Sequence, residues 1–339
     1  MRSGLWRPLI HKPGHRDTVN ARVFLILGIV LLAAIGIWFW FGKQGLQSGQ
    51  PAKVRVAYAP VVLNLPSYIA QDRGLFAKAG LNVEYTSFSS ANDMINALVA
   101  GQVDVVTGVS LVPILNLEAQ SPGKARVFLH SLMTAETPYD GVVVKKDSPI
   151  QGLADLVGKK VGVFPGTTAT NLMKAALKKQ GIDPARVELV TLPPPSHLSA
   201  LETGAVDALL AYEPTLSTAL DQGARRIFGS IFADLLSPSP ISSSVVSRKF
   251  ASEHPDVFKK FAAVLDQAIT QIRHDTASCR PSLVTHTKIT PQVAEKVNLV
   301  PDVLSSELKP DAVQAFVDLL VSLGELPKKV DAHALLSDK

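Results

Sequence analysis

The sequence has only one cysteine, Cys279, among its 339 residues. A single thiol excludes a disulfide within the chain and any zinc site built from several cysteines. It also excludes a lipid anchor of the bacterial lipoprotein type, because no cysteine follows the apolar run near the N-terminus. The eight histidines are scattered, and the one pair with a metal-ligand spacing in a helix is His11/His15, in the N-terminal tail. We therefore predict neither a metal site nor a bound cofactor.

Net charge is also scarce in most of the chain. Of 34 basic and 29 acidic residues, six basic residues and one acidic residue lie within 1–50, so that 28 of each remain after Gln50. A nucleic-acid-binding domain needs a basic face, and this balance supplies none. We therefore predict no nucleic-acid partner. The hydrophobic content of 47%, with 19% charged residues, is typical of a globular protein.

One long hydrophobic run, Val23–Phe41, contains neither a charge nor a proline. As a helix with a rise of about 1.5 Å per residue it can cross a hydrocarbon core of about 30 Å, and Trp38 and Trp40 lie where an interfacial aromatic belt is expected. Five basic residues precede the run. The positive-inside rule therefore predicts a single-pass protein of the inner (cytoplasmic) membrane, with residues 1–22 in the cytoplasm and 42–52 as a linker to a periplasmic or extracellular domain. The alternative is a long signal peptide that is removed; either way the rest of the chain is exported.

The exported part carries one pattern twice. A strand-like segment (VRVAYAP from Val54, KVGVFPG from Lys160) is followed by a helix, a second strand, a second helix and a third strand. In both copies the motif Ala-Leu-x-x-Gly-x-Val-Asp, which ends at Asp104 and at Asp207, precedes the third strand. Short Val-rich strands that alternate with amphipathic helices predict parallel sheets covered on both faces.

Two glycines support this interpretation. Gly80 and Gly181 follow the first helix of each copy, where a left-handed C-cap favours glycine. We predict an α/β protein with two duplicated lobes and a ligand at the carboxyl ends of their strands. After Ser247 the pattern becomes helical, with a helix whose first turn holds Pro255.

Six motifs in a fixed order give the chain a resemblance to a known family. They are V-x-V-A-Y-A-P, I-A-x-x-x-G-L-F-A-K-A-G-L-N-V-E-Y, A-L-x-x-G-x-V-D, K-D-S-P-I-x-x-L-A-D-L-x-G-K-K-V, G-T-T-A and Y-E-P. In this order they resemble the substrate-binding proteins of ABC importers for nitrate, sulfonates and taurine. The resemblance covers residues 54–223 closely and the C-terminal helices loosely. The resemblance implies the two-lobed periplasmic-binding-protein type II fold, which closes on a small solute and delivers it to an ABC permease.

The same resemblance implies two crossings between the lobes, which we place near Asp140–Val144 and Pro240–Val246. The first lobe is then formed by residues 53–143 and 243–339, and the second by 144–242. We expect a monomeric receptor that is not an enzyme, with a small-molecule solute and a membrane permease as its partners. The solute class stays open between a sulfonate such as taurine, nitrate or bicarbonate, and an aminopyrimidine.

Candidate ligand-binding residues lie where strands end and helices begin. Free backbone N–H groups and the positive end of a helix dipole favour an anion at such places. Each residue could instead serve only as a helix cap or a turn former. Eight residues are predicted from this position: Asn64, Ser89, Ser90, Ala91, Ser110, Gly166, Thr167 and Thr168.

Tyr212 and Glu213 end the last strand of the second lobe and complete the predicted site. A carboxylate at the cleft would suit a solute with an amine, with Tyr212 stacked beside it, and this favours a small zwitterion. Relatives often have a tryptophan beside the Glu-Pro pair, where this sequence has Ala211 and Tyr212. The alternative role of Glu213 is a solvated or hinge-paired acid.

Asp104 and Asp207 begin strands far from the predicted cleft, so we expect them to cap structure and not to catalyse.

Two other functions remain open at this point. An enzyme on the same fold would be similar to the thiamine-pyrimidine synthases, which use a lysine-bound pyridoxal phosphate and carry a cysteine-rich motif that this chain lacks. A receptor that signals to a membrane partner without transport is the third alternative.

Overall fold

Two β-sheets form the framework of the protein. The structure is a computed structural model and describes residues 51–337. The predicted tail, the membrane segment Val23–Phe41 and nearly all of the linker lie outside these residues. Among the residues that are described, no helix is both long enough and apolar enough to cross a membrane. The chain after Gln50 is one compact unit.

Eleven strands occur between residues 51 and 337. They are β1 (Ala52–Tyr58), β2 (Leu81–Ser87), β3 (Val105–Val109), β4 (Ala125–Met133), β5 (Asp140–Val144), β6 (Lys160–Val163), β7 (Glu188–Thr191), β8 (Ala208–Tyr212), β9 (Arg225–Phe228), β10 (Ser239–Ser247) and β11 (Asp302–Val303). The first sheet has the order β11–β4–β10–β3–β1–β2, and the second has the order β7–β6–β8–β5–β9.

Fourteen α-helices lie in the same part of the chain. They are α1 (Leu65–Asp72), α2 (Leu75–Lys78), α3 (Ala91–Val99), α4 (Leu111–Gln120), α5 (Thr167–Lys179), α6 (His197–Thr203), α7 (Thr215–Asp221), α8 (Ile231–Leu235), α9 (Arg248–Glu253), α10 (Pro255–His274), α11 (Pro281–Thr287), α12 (Pro291–Lys296), α13 (Pro310–Ser322) and α14 (Ala332–Leu336).

The two sheets repeat one arrangement. The parallel trio β2–β1–β3 of the first sheet matches the parallel trio β7–β6–β8 of the second, and an antiparallel strand follows each trio, β10 beside β3 and β5 beside β8. Val56 of β1 and Val161 of β6 are fully buried, as expected for strands covered on both faces. The predicted two-sheet α/β fold is confirmed.

The antiparallel strands β5 and β10 are exchanged between the sheets. β5 comes after β1 to β4 of the first sheet in sequence, but it pairs with β8 and β9 of the second sheet. β10 comes after β6 to β9 of the second sheet, but it pairs with β3 and β4 of the first. The chain therefore passes between the sheets in residues 134–139 and 229–238. The boundaries placed at 143/144 and 242/243 fall inside β5 and β10, because strand-like composition does not reveal which sheet a strand will join.

The first predicted helix of the duplicated unit is interrupted at Gly74. This residue has φ = 63° and separates α1 from α2, because a left-handed residue cannot continue a right-handed helix. Gly80 and Gly181 have φ = 74° and follow the predicted helices in both copies. Their left-handed conformation confirms the prediction.

The helix α10 packs beside α1 and covers the first sheet. Its side chain Phe261 is fully buried and stacks on Phe76 of α2 at a centroid distance of 5.1 Å. Phe128 of β4 meets the same ring edge-on at 6.3 Å. Offset and edge-to-face aromatic contacts of this kind stabilise the core beyond their area burial. They fix the first sheet behind the strand ends that form the site.

Candidate functional site

A cavity of about 70 Å³ lies between the two sheets. Residues that follow the carboxyl ends of strands from both sheets line it: Val61 after β1, Ser110 after β3 and Phe164 after β6, with Tyr212 at the end of β8. The cavity therefore occupies the place where open α/β sheets bind ligands.

A larger cleft of about 780 Å³ lies beside this cavity. The two share Ala59, Val61, Phe164 and Tyr212 in their walls. Ser87 to Ser89 and Glu213 to Thr215 line only the larger cleft. The two therefore belong to one site, in which we call the smaller cavity the inner chamber and the larger one the outer cleft.

Three helix N-termini meet at the inner chamber. Ser90 caps α3, where its Oγ accepts a hydrogen bond from the N–H of Asp93 at 3.2 Å, and Ser110 caps α4. Both serines line the chamber, together with Ala91 at the first position of α3 and Pro165 just before α5. Each helix start adds a positive partial charge and backbone N–H groups.

The helix starts of the two sheets face each other across the cleft. Thr167 Oγ1, in the first turn of α5, donates to Asn92 Oδ1, in the first turn of α3, at 3.5 Å. A Cβ placed on Gly166 would come within 4.0 Å of Ser90 and Asn92. Residues predicted separately in each half, Ser90 and Ala91 in one and Gly166 and Thr167 in the other, therefore lie together. The side chain of Thr168 lies outside the described part of the structure.

Aromatic rings form much of the chamber wall. Tyr139 and Tyr212 stack at a centroid distance of 5.5 Å, and Phe164 and Phe232 lie 5.9 and 6.3 Å from Tyr212. Burial raises the pKa of Tyr212, so its hydroxyl is protonated at neutral pH. Within residues 51–337 this hydroxyl is buried and has no hydrogen-bond partner.

The chamber wall is otherwise apolar. Leu63, Met94 and Ile241 are among its other residues, and no charged side chain of the described residues lines it. Such a wall favours a solute with an apolar body, while the helix starts favour an anionic group.

Glu213 lines the outer cleft but not the inner chamber. Its oxygens accept hydrogen bonds from Ser217 Oγ at 2.8 Å, the N–H of Ser217 at 3.1 Å and the N–H of Asn298 at 3.4 Å. Burial raises the pKa of Glu213. The carboxylate joins the end of β8 to the segment before β11, as in the hinge-paired alternative, and both of its oxygens already accept hydrogen bonds from the protein.

Asn64 and Ser89 lie outside the inner chamber. Ser89 is exposed and lines the outer cleft. Asn64 is 1% exposed, and its Nδ2 donates to the carbonyl of Ala59 at 2.8 Å. Ala59 lines the chamber, so Asn64 supports the wall from behind.

Three aromatic wall residues were missed by sequence reasoning. Phe164 ends the strand motif just before Gly166, and its position at a strand end could have identified it. Tyr139 precedes β5, and Phe232 lies in α8. These two reach the chamber only because the chain crosses between the sheets beside them, and no local pattern indicates this.

The fold and the chamber define a two-lobed periplasmic-binding protein, and comparisons with known proteins assign the family. The sequence profile of the NMT1-like family matches residues 47–281. The chain belongs to this family.

Two bacterial relatives are named as binding proteins, one for taurine and one for aliphatic sulfonates. The chain is 32% identical over 215 residues to the taurine-binding periplasmic protein of Escherichia coli K12, a match that covers 63% of this chain and 64% of that protein. It is 28% identical over 247 residues to a putative aliphatic sulfonates-binding protein of Bacillus subtilis 168, covering 71% and 72% of the two chains. The match thus spans about two thirds of each relative.

A solved structure has the same fold. The alkanesulfonate-binding protein SsuA of Xanthomonas axonopodis pv. citri, bound to MOPS, superposes with a TM-score of 0.70 at 22% identity, covering 86% of this chain and 99% of that one. The likeness confirms the periplasmic-binding-protein architecture.

Proposed function

We propose that the protein is a solute-binding receptor of an ABC importer and that its solute is an organic anion with an apolar body, of the sulfonate class. The observation that carries this proposal is the meeting of three helix N-termini at one apolar chamber. The anionic group would lie at the starts of α3, α4 and α5, and the apolar body against Phe164 and Tyr212. The names of the two relatives support the same class.

Closure would occur about the two segments that pass between the sheets. Residues 134–139 and 229–238 are the covalent links, and Asp140 ties them together because its carboxylate accepts from Ser230 Oγ at 2.5 Å and from the N–H of Ile231 at 2.7 Å. A solute that contacts the helix starts of both lobes favours the closed arrangement by its differential affinity. The closed form would then dock on a membrane permease as a monomer.

The described lining of the inner chamber lacks the amine that a pyridoxal phosphate enzyme needs. A Schiff base requires a lysine amine, and among the described residues that line the inner chamber there is no lysine. Lys288 lines the outer cleft, where it is exposed to solvent. The receptor proposal is therefore favoured over the enzyme.

The proposal is tested by thermal unfolding of the full chain in detergent with taurine, longer alkanesulfonates, nitrate, bicarbonate, an aminopyrimidine and pyridoxal phosphate. A solute at 100 times its dissociation constant stabilises the folded state by about 2.7 kcal/mol. We expect alkanesulfonates to raise the Tm more than nitrate does, because only they fill the apolar chamber. A response to pyridoxal phosphate alone, with new imine absorbance, would overturn the receptor.

We also propose that Val23–Phe41 anchors the receptor with its N-terminus in the cytoplasm. Protease added outside spheroplasts should digest the domain after Gln50 and leave a small membrane-bound fragment. Release of the whole domain without protease would contradict the anchor and support a cleaved signal peptide.

A further inference from the structure

A second, smaller cavity lies between the first sheet and the helices α1 and α10. Its volume is about 10 Å³, and Asn64, Thr107, His130 and Ser243 are among its lining residues. Each of these four polar residues is only 1% exposed. This cavity is separate from the solute chamber, although Leu63 and Gly108 line both.

Five polar atoms of these side chains have no hydrogen-bond partner among the described residues. They are Asn64 Oδ1, Thr107 Oγ1, Ser243 Oγ and the two ring nitrogens of His130. An unpaired buried polar atom costs free energy, and native proteins pair such atoms with protein groups or with ordered water. Five of them around one cavity therefore require a partner that is not protein.

The sheet register brings three of the four side chains together. His130 of β4 lies opposite Ser243 of β10, and Ser243 lies opposite Val109 of β3. Thr107 lies two residues before Val109 in the same strand, β3, and lines the cavity together with His130 and Ser243. The two hydroxyls and the imidazole thus stand on neighbouring strands and face the same cavity.

Asn64 reaches the cavity because residue 108 is a glycine. Gly108 has φ = 60°, and a Cβ there would lie 2.6 Å from the amide atoms of Asn64. No side chain fits at that separation. Asn64 Nδ2 donates a hydrogen bond to the carbonyl of Ala59, which leaves Oδ1 as an unpaired acceptor.

The chemistry of the four groups excludes a strongly charged occupant. Burial, together with the charge of Lys309, lowers the pKa of His130 to about 4, so the ring is neutral at pH 7 and offers one donor and one acceptor. The one carboxyl group in the lining, that of Asp302, accepts from Ser131 Oγ at 2.6 Å, and burial raises its pKa to about 7. What remains is two hydroxyls, an amide oxygen and a neutral imidazole.

We propose that this cavity is a binding site for at least one ordered water molecule, held by Asn64, Thr107, His130 and Ser243. The water donates to Asn64 Oδ1 and to the unprotonated nitrogen of His130, and it accepts from the two hydroxyls. These four bonds use the full capacity of one water, and the N–H of His130 is the one group of the five that this water does not pair. A volume of about 10 Å³ is close to the minimum that one water needs, and a buried water makes about three hydrogen bonds. The water supports Asn64 and Gly108, and through them the chamber wall.

The substitution Thr107→Val tests the proposal through the sign of its effect. It keeps the shape of the side chain and removes one hydroxyl. If a water is bound, the water loses a partner and the Tm of the full chain falls by about 2–4 °C. If the hydroxyl is truly unpaired, its removal relieves a cost and the Tm rises. Thr86→Val, at an exposed position in β2, is the matched control and leaves the Tm nearly unchanged.

Crystals of the unmodified full chain provide a second measurement that does not depend on a variant. We expect a density peak at hydrogen-bond distance from at least three of the four side chains. An empty cavity, an ion at metal-coordination distances, or a rise of the Tm in Thr107→Val would each overturn the proposal.

Discussion

Asp207 links β6 to β8 through the same pair of hydrogen bonds by which Asp104 links β1 to β3. The carboxylate of Asp104 accepts a hydrogen bond from the N–H of Arg55 at 2.8 Å, and that of Asp207 accepts from the N–H of Lys160 at 2.8 Å. In each pair the N–H of the aspartate returns a bond to the carbonyl of the same partner, also at 2.8 Å. The predicted capping role of the two aspartates is confirmed.

The two aspartates differ in burial, so their removal should differ in cost. Asp104 is buried and also binds the guanidinium of Arg55 at 2.6 and 3.1 Å, whereas Asp207 is exposed. We expect Asp104→Ala to lower the free energy of unfolding by about 1–3 kcal/mol and Asp207→Ala to lower it by less. Urea unfolding measures both, and equal losses would contradict the burial argument.

The helix starts can be tested with a charge that does not harm the fold. Ala91 is the first residue of α3 and lines the chamber. An aspartate is favourable in the first turn of a helix, so Ala91→Asp should fold normally but should weaken sulfonate binding about tenfold or more by repulsion. Ala91→Asn is the neutral control. Calorimetric titration with unchanged affinity in Ala91→Asp would place the anion elsewhere.

The buried hydroxyl of Tyr212 predicts opposite effects with and without solute. Tyr212→Phe removes an unpaired group, so the unliganded protein should be equally or more stable, while sulfonate affinity should fall several-fold if the solute is the missing partner. Tyr68→Phe is the contrasting variant, because its hydroxyl donates to the carbonyls of Ala59 and Val61 at 3.3 and 3.2 Å. That variant should lose stability in thermal melts. Lower stability of unliganded Tyr212→Phe would show that its hydroxyl is already paired.

Glu213→Gln separates a hinge role from an amine contact. The carboxylate accepts three hydrogen bonds from Ser217 and Asn298, and one amide group cannot accept at both ends. We expect a loss of stability of about 1 kcal/mol with taurine affinity changed less than threefold. A tenfold loss of taurine affinity, with butanesulfonate affinity unchanged, would restore the amine contact.

Asp140 should give the protein a measurable pH dependence. Burial raises the pKa of Asp140 from 3.8 to about 6, so the folded state holds this proton more tightly than the unfolded state does. Stability from this group is greatest below about pH 4 and is lost as the pH rises to about 6.

The variant Asp140→Asn lacks this loss. As the pH rises from 4 to 7, its free energy of unfolding should increase relative to that of the unmodified chain by up to about 3 kcal/mol. The exposed Asp147→Asn is the control and should follow the unmodified chain at every pH. Parallel curves for Asp140→Asn and the unmodified chain would show that the carboxylate is not titrating in this range.

Much of the site could be predicted because its elements are local. Ser90, Ser110 and Gly166 each stand between a strand and a helix, and that position alone gives free N–H groups and a dipole end. The prediction for Asn64 was less informative, because its place behind the wall depends on Gly108, a residue 44 positions later in the sequence.

The duplicated strands and helices, the left-handed glycines and the helix starts follow from local sequence, since backbone hydrogen bonding and side-chain periodicity act over a few residues. The tertiary structure decided which sheet receives β5 and β10, that Tyr139 and Phe232 reach the chamber, and that Glu213 turns toward Asn298. These outcomes follow from packing between segments that are distant in the chain, where the free energy of burial and of pairing polar groups selects one arrangement among several that local patterns allow.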